Sequence, residues 1–202
     1  MIQDTVKPGV DLAAWEELMK KGITNAIAGL SQMVQKKITV DSVSISRIPA
    51  KQVIDLVGGP EKLIVGIYLN FSGAANGHLM LAHRPEVAYN LLGMILGEEP
   101  VKRDDISEFE QSALSEMGNI TGSFFLNAIA DALKITLYPS PPSVIIDMAG
   151  AIMGIALAEI LQESDEVMVV DTAFTTDDQR AGGRFMIMPN ESFVRLSQQF
   201  AS

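Results

Sequence analysis

Cysteine is absent from the 202 residues, which removes disulfides, thiolate nucleophiles and cysteine-ligated metals. Histidine is nearly absent too. The two present, His78 and His83, flank one short apolar run, and no carboxylate or second histidine stands at metal-ligand spacing. They read as structural or surface residues. Positive charge is scarce: 15 basic against 25 acidic side chains give a net charge of −10, with no strongly basic run. That balance argues against nucleic-acid binding. Long uninterrupted apolar runs are also missing. The most lipid-like stretch, Val144 to Leu161, carries Asp147 and Glu159 and is interrupted by Gly150 and Gly154. It is expected to be a buried helix rather than a membrane span. The first residues lack a basic stretch followed by an apolar one, so no secretory signal is expected. No P-loop, no Gly-x-Ser-x-Gly and no dinucleotide glycine pattern occurs. Together with the apolar content these absences fit a globular α/β protein, and the lack of cysteine suits the cytoplasm.

What is present is a layout written twice. Residues 12 to 37 place apolar side chains at three- and four-residue steps, and Asp11 stands where an N-cap belongs. Ile38 to Arg47 largely alternates apolar and polar residues, as a strand does. A short helical stretch from Pro49 to Val57 ends at Gly58-Gly59-Pro60. Leu63 to Phe71 and His78 to Ala82 read as a hairpin, and Pro85 opens a helix to about Ile95. After the charged linker GEEPVKRDD the order returns. Ser107 to Leu133 is a second long helix, and NAIA recurs at Asn127 to Ala130 as at Asn25 to Ala28. Val167 to Phe174 and Arg184 to Met188 form a second hairpin, with a closing helix near Pro189. GHLMLAHRPEVA at 77–88 and GRFMIMPNESFV at 183–194 share one arrangement of glycine, strand, polar corner and helix. The expectation is one α/β (α+β) domain over 1–202, internally duplicated about a pseudo-two-fold. A first half at about 11–96 and a second at about 106–200 share a central sheet covered by paired long helices.

The second long helix carries the candidate chemistry. Ser112, Glu116 and Asn119 are spaced four and three residues apart, so they share one helix face. A carboxylate can anchor a cation, and a carboxamide, being both donor and acceptor, can orient a water. Gly118 and Gly122 flank Asn119 and would let another surface approach closely. Spacing alone favours an ordinary helix face, since surface helices often carry Glu and Asn at such steps and paired small residues often mark helix packing.

With Pro142 added, these residues resemble the CheC/CheX/FliY chemotaxis phosphatases. Their pattern is Asp or Ser, three residues, Glu, two residues, Asn, twenty-two residues and Pro, and Ser112, Glu116, Asn119 and Pro142 fall in that register. The resemblance implies a hydrolase acting on the aspartyl phosphate of a CheY-type response regulator in two-component signalling. Glu116 would pair with the lysine beside the phosphoaspartate. Asn119 would orient water for in-line attack, and Ser112 and Pro142 would place the helix and the following loop. Mg²⁺ would belong to the regulator. In the first long helix no glutamate has an asparagine three places on. Glu16 meets Met19 and Glu17 meets Lys20, which would repel the regulator's lysine, so one competent site is expected. Glu17 and Lys20 can be read instead as a surface pair.

Two rival readings remain at this point. The same glutamate would serve a non-catalytic adaptor that binds and sequesters the phosphorylated regulator. Self-association as a homodimer would use GAIMG, whose Gly150 and Gly154 otherwise suit core packing. The resemblance also admits the deamidase CheD as a stimulating partner. With Ser202 last, no switch domain follows, so the FliY branch is not expected.

Overall fold

A computed structural model describes residues 12–97, 106–160, 166–175, 180–189, 193 and 196. Asp11 as a cap, the charged linker, the second hairpin's connection and nearly all of the closing helix fall outside these residues.

Helix α1 (Leu12–Val34) leads into β1 (Thr39–Pro49), a 3₁₀ turn (Ala50–Gln52) and the short α2 (Val53–Leu56). The hairpin β2 (Leu63–Gly73) and β3 (Gly77–His83) is followed by α3 (Pro85–Leu96). The second run consists of α4 (Glu108–Leu133), β4 (Leu137–Pro139), β5 (Ser143–Met148), α5 (Ala149–Ile160), β6 (Glu166–Thr175) and β7 (Arg180–Pro189).

All pairings are antiparallel, in the order β1-β6-β7-β3-β2-β4, with β5 also on β2. The two runs exchange strands. β1 lies on the second hairpin, β5 lies on the first, and the hairpins meet in the middle through β3 and β7. At that central seam Met80 faces Met186, the two residues that also match in the repeated sequence pattern.

Strand alternation divides the core in two. Leu79 and Leu81 of β3 point to the layer of α1, α3 and α4, whereas Met80 and Ala82 point to that of α2 and α5. The long helices touch through small residues. A Cβ on Gly22 would run into the Phe125 ring and one on Gly29 into Phe124, and the Asn25 carboxamide donates to the Phe124 carbonyl at 2.7 Å. Phe125 is fully buried and stacks at a tilt on Phe185, with ring centroids 4.5 Å apart. Burial of one such ring stabilises the fold by roughly 1.5–3 kcal/mol.

One expectation is corrected. Residues 144–148 form strand β5 rather than the start of a helix, because Val144-Ile145-Ile146 is a β-branched run that pairs with Ile67, Gly66 and Val65 of β2. Helix α5 begins only at Ala149, and it is not enclosed. Ile152, Met153 and Leu157 are buried while Ala151, Gly154 and Ala158 face outward. Gly150 packs on Pro60, but nothing lies within 4 Å of a Cβ placed on Gly154.

Candidate functional site

Helix α4 is fixed at both ends. Ser107 is its N-cap, and its hydroxyl oxygen accepts the Glu110 N–H at 3.3 Å. The Glu110 carboxylate accepts in return from the Ser107 N–H at 2.9 Å and hydroxyl at 2.6 Å. This reciprocal box satisfies amide donors that a helix start leaves open. Glu108 and Glu110 in the first turn also complement the helix dipole. The helix stops at Lys134, which adopts a left-handed conformation at φ 55°.

Between these ends the buried face of α4 lies directly on the sheet. A Cβ on Gly118 would overlap the Ile67 side chain, and one on Gly122 would fall 2.6 Å from Leu69. The glycines thus set how close α4 sits to β2, and the surface that approaches them is the sheet. With Leu114, Met117, Thr121 and Phe125 turned inward, Ser112, Glu116 and Asn119 are left exposed on the opposite face.

The Glu116 and Asn119 side chains have no hydrogen-bond or ion-pair partner among the described residues. Their full bonding capacity is therefore open to an incoming molecule. Ser112 is engaged locally, its hydroxyl donating to the Glu108 carbonyl at 2.9 Å. Pro142 is brought to the same place. The Ser140 N–H donates to the Asn70 carbonyl at 2.7 Å, and the Asn70 N–H donates to the Ser140 hydroxyl at 3.0 Å. These bonds hook the loop between β4 and β5 onto β2. Pro142 then lies beside Gly118, its Cβ 3.5 Å from where a Gly118 Cβ would be. The four residues thus sit on one helix face and an adjoining rigid loop. It is an open ridge rather than a cavity, suited to entering another molecule's site.

In the first long helix Glu17 and Lys20 are both exposed, but they do not pair with each other. Lys20 lies 3.8 Å from Glu16 and Lys21 3.0 Å from Glu17, because four-residue spacing aligns better on a helix face. The histidines differ. His78 is stacked on Tyr68, its Nδ1 2.7 Å from the Tyr68 hydroxyl and 2.8 Å from the Asn70 amide oxygen. His83 is buried, and burial pushes its imidazole down to about 4. Among the described residues no group of three or more carboxylates and histidines could hold a metal ion, and no helix is long and apolar enough to cross a membrane.

Comparison with known proteins places these features. The CheC-like family model matches residues 109–146, the segment running from just before Ser112 to just past Pro142. A curated protein from Bacillus subtilis (strain 168), the CheY-P phosphatase CheC, is 27% identical over 180 residues, covering 87% of this chain and 86% of its own. The crystal structure of FliY from Thermotoga maritima superposes with a TM-score of 0.73 at 16% identity, covering 97% of both chains. CheX from Borrelia burgdorferi, solved as a CheX-CheY-BeF3-Mg+2 complex, gives a TM-score of 0.56 at 17% identity over 86% of this chain and 98% of that one. The resemblance seen in four residues extends to the whole fold.

Proposed function

We propose that this CheC-like chain is a phosphatase that hydrolyses the aspartyl phosphate of a CheY-type response regulator, with Asn119 orienting the attacking water and Glu116 docking the regulator's active-site lysine. The observation that supports the reading is the ridge itself: an exposed carboxylate and an exposed carboxamide, three residues apart on a helix fixed at both ends, with no partner among the described residues.

The chemistry asks little more of this chain. In an acyl phosphate the carboxylate is already a good leaving group. Water attacks phosphorus, the new P–O bond forms as the acyl O–P bond breaks, and inorganic phosphate and the aspartate carboxylate result, with the water's proton passing to the phosphate or to solvent. Phosphoryl transfer of this kind is governed by positioning and charge stabilisation. A carboxamide can accept a bond from the water, or donate to it, without titrating near neutral pH. Glu116 supplies the complement to a lysine, and the ridge form lets both side chains reach into a partner's cleft. Mg²⁺ would be held by the regulator; the CheX-CheY-BeF3-Mg+2 complex of the Borrelia relative contains that ion. Ser112, bonded to the Glu108 carbonyl, and Pro142, beside Gly118, would have supporting roles in placing the helix and the following loop. Such a reaction takes place where response regulators work, in the cytoplasm.

The test is turnover. Phosphorylated, Mg²⁺-loaded regulator in large excess is mixed with the chain, and inorganic phosphate is followed. The proposal expects many phosphates released per molecule. Release no faster than spontaneous decay, with binding intact, would identify an adaptor that sequesters the regulator.

A further inference from the structure

A second site lies away from the ridge, at the end of β3. The β3–β7 ladder closes with Ala82 opposite Arg184, and His83, one residue on, is paired only with Val65 of β2. Arg184 faces Asp171 on β6, and Asp171 faces Ser44 on β1. The cross-strand row Ser44, Asp171, Arg184, Ala82 therefore runs along one face of the sheet. Where β7 no longer flanks β3, a cavity of about 350 Å³ opens beside this row, under the start of α3. That volume is in the range of small-molecule sites.

Two observations give the cavity its chemistry. First, the lining is positive in a chain of net charge −10: Arg84 and Arg184 against Asp171. Arg184 gives its Nε–H to Asp171 at 2.6 Å, and among the described residues its terminal nitrogens have no partner. Arg84 is exposed at the α3 N-cap position, makes no cap bond there, and has no ion pair among the described residues. Strand alternation puts Arg84 on the same face as Ala82 and Arg184. Second, the opposite wall, with Val57, Ile64 and Ala82, is apolar.

We propose that this cavity binds a small organic oxyanion with a short apolar tail, a carboxylate or a phosphate monoester, its head between Arg84 and Arg184 and its tail on Val57 and Ile64. Paired guanidinium groups suit both head groups, because each presents coplanar or adjacent oxygens to their N–H forks. The site shares no residue with the Glu116–Asn119 ridge.

The test is a titration of the full chain with hexanoate, hexyl phosphate and hexanol, following the arginine side-chain N–H signals by NMR; Arg84→Gln and Arg184→Gln identify the two that line the cavity. The expected result is a saturable shift with one or both anions and none with hexanol. Which anion saturates identifies the head group. Arg84→Gln, a surface change, should weaken that binding roughly tenfold, the loss of one charge-assisted hydrogen bond. No shift with either anion, an equal shift with hexanol, or an affinity indifferent to Arg84→Gln would overturn the proposal and leave a cavity filled by water. None of these results depends on whether the chain releases phosphate.

Discussion

Single side chains divide here into those left open for a partner and those sealed in. Glu116 belongs to the first group. Under the proposed docking, exchanging it for lysine places a like charge against the regulator's lysine. Binding should fall by at least roughly tenfold, as measured by fluorescence anisotropy of the labelled regulator, while the melting temperature is unchanged. Glu17→Ala, on the first long helix, should leave turnover at the wild-type rate if one competent site exists. His83 belongs to the second group. Its imidazole is neutral in both states above about pH 6.5, so no proton is taken up on unfolding there. As the pH falls toward about 4, the unfolded chain gains a proton that the folded one refuses. Stability is therefore fully present above pH ~6.5 and is lost on acidification, by up to about 3 kcal/mol. Urea titrations at stepped pH should show this slope, and His83→Leu should flatten it.

At the scale of elements, the placing of α4 on β2 decides whether the ridge stands at the right height. Gly118→Ala forces a methyl into Ile67, which is fully buried and has nowhere to move. The overpacking costs about 1–3 kcal/mol, offset by up to about 1 kcal/mol of better helix propensity. A net loss of roughly 1–2 kcal/mol in chemical unfolding is expected, with a fall in turnover because Asn119 is adjacent. Ser107→Ala removes the N-cap and should destabilise by about 1 kcal/mol without touching the ridge. Element boundaries were largely legible, since α1, α4 and both hairpins carry clean apolar periods. Val144 to Leu161 was not: a short β-branched run and an apolar helix join there with no polar break. Only pairing with β2 separates them. The ridge could be read because its residues lie on one helix and one loop. The cavity at His83 could not, because its polar row is assembled from four strands that only the sheet order brings together.

For the whole molecule, strand exchange ties the two runs into one unit. β1 completes the sheet beside β6, and β5 completes it beside β2, so each run lacks an edge that only the other supplies. We propose that the halves at about 11–96 and 106–200 form a single domain. Expressed separately, each should lack the dispersed amide NMR spectrum of the full chain, and mixing them should restore it; independently folded halves would refute this. In the proposed reaction the attacking water is held by one carboxamide. The most direct measurement is the phosphate-release rate of Asn119→Ala at saturating phosphorylated regulator. Turnover roughly a hundredfold below wild type with unchanged regulator affinity is the predicted result. Wild-type turnover in that variant would contradict it.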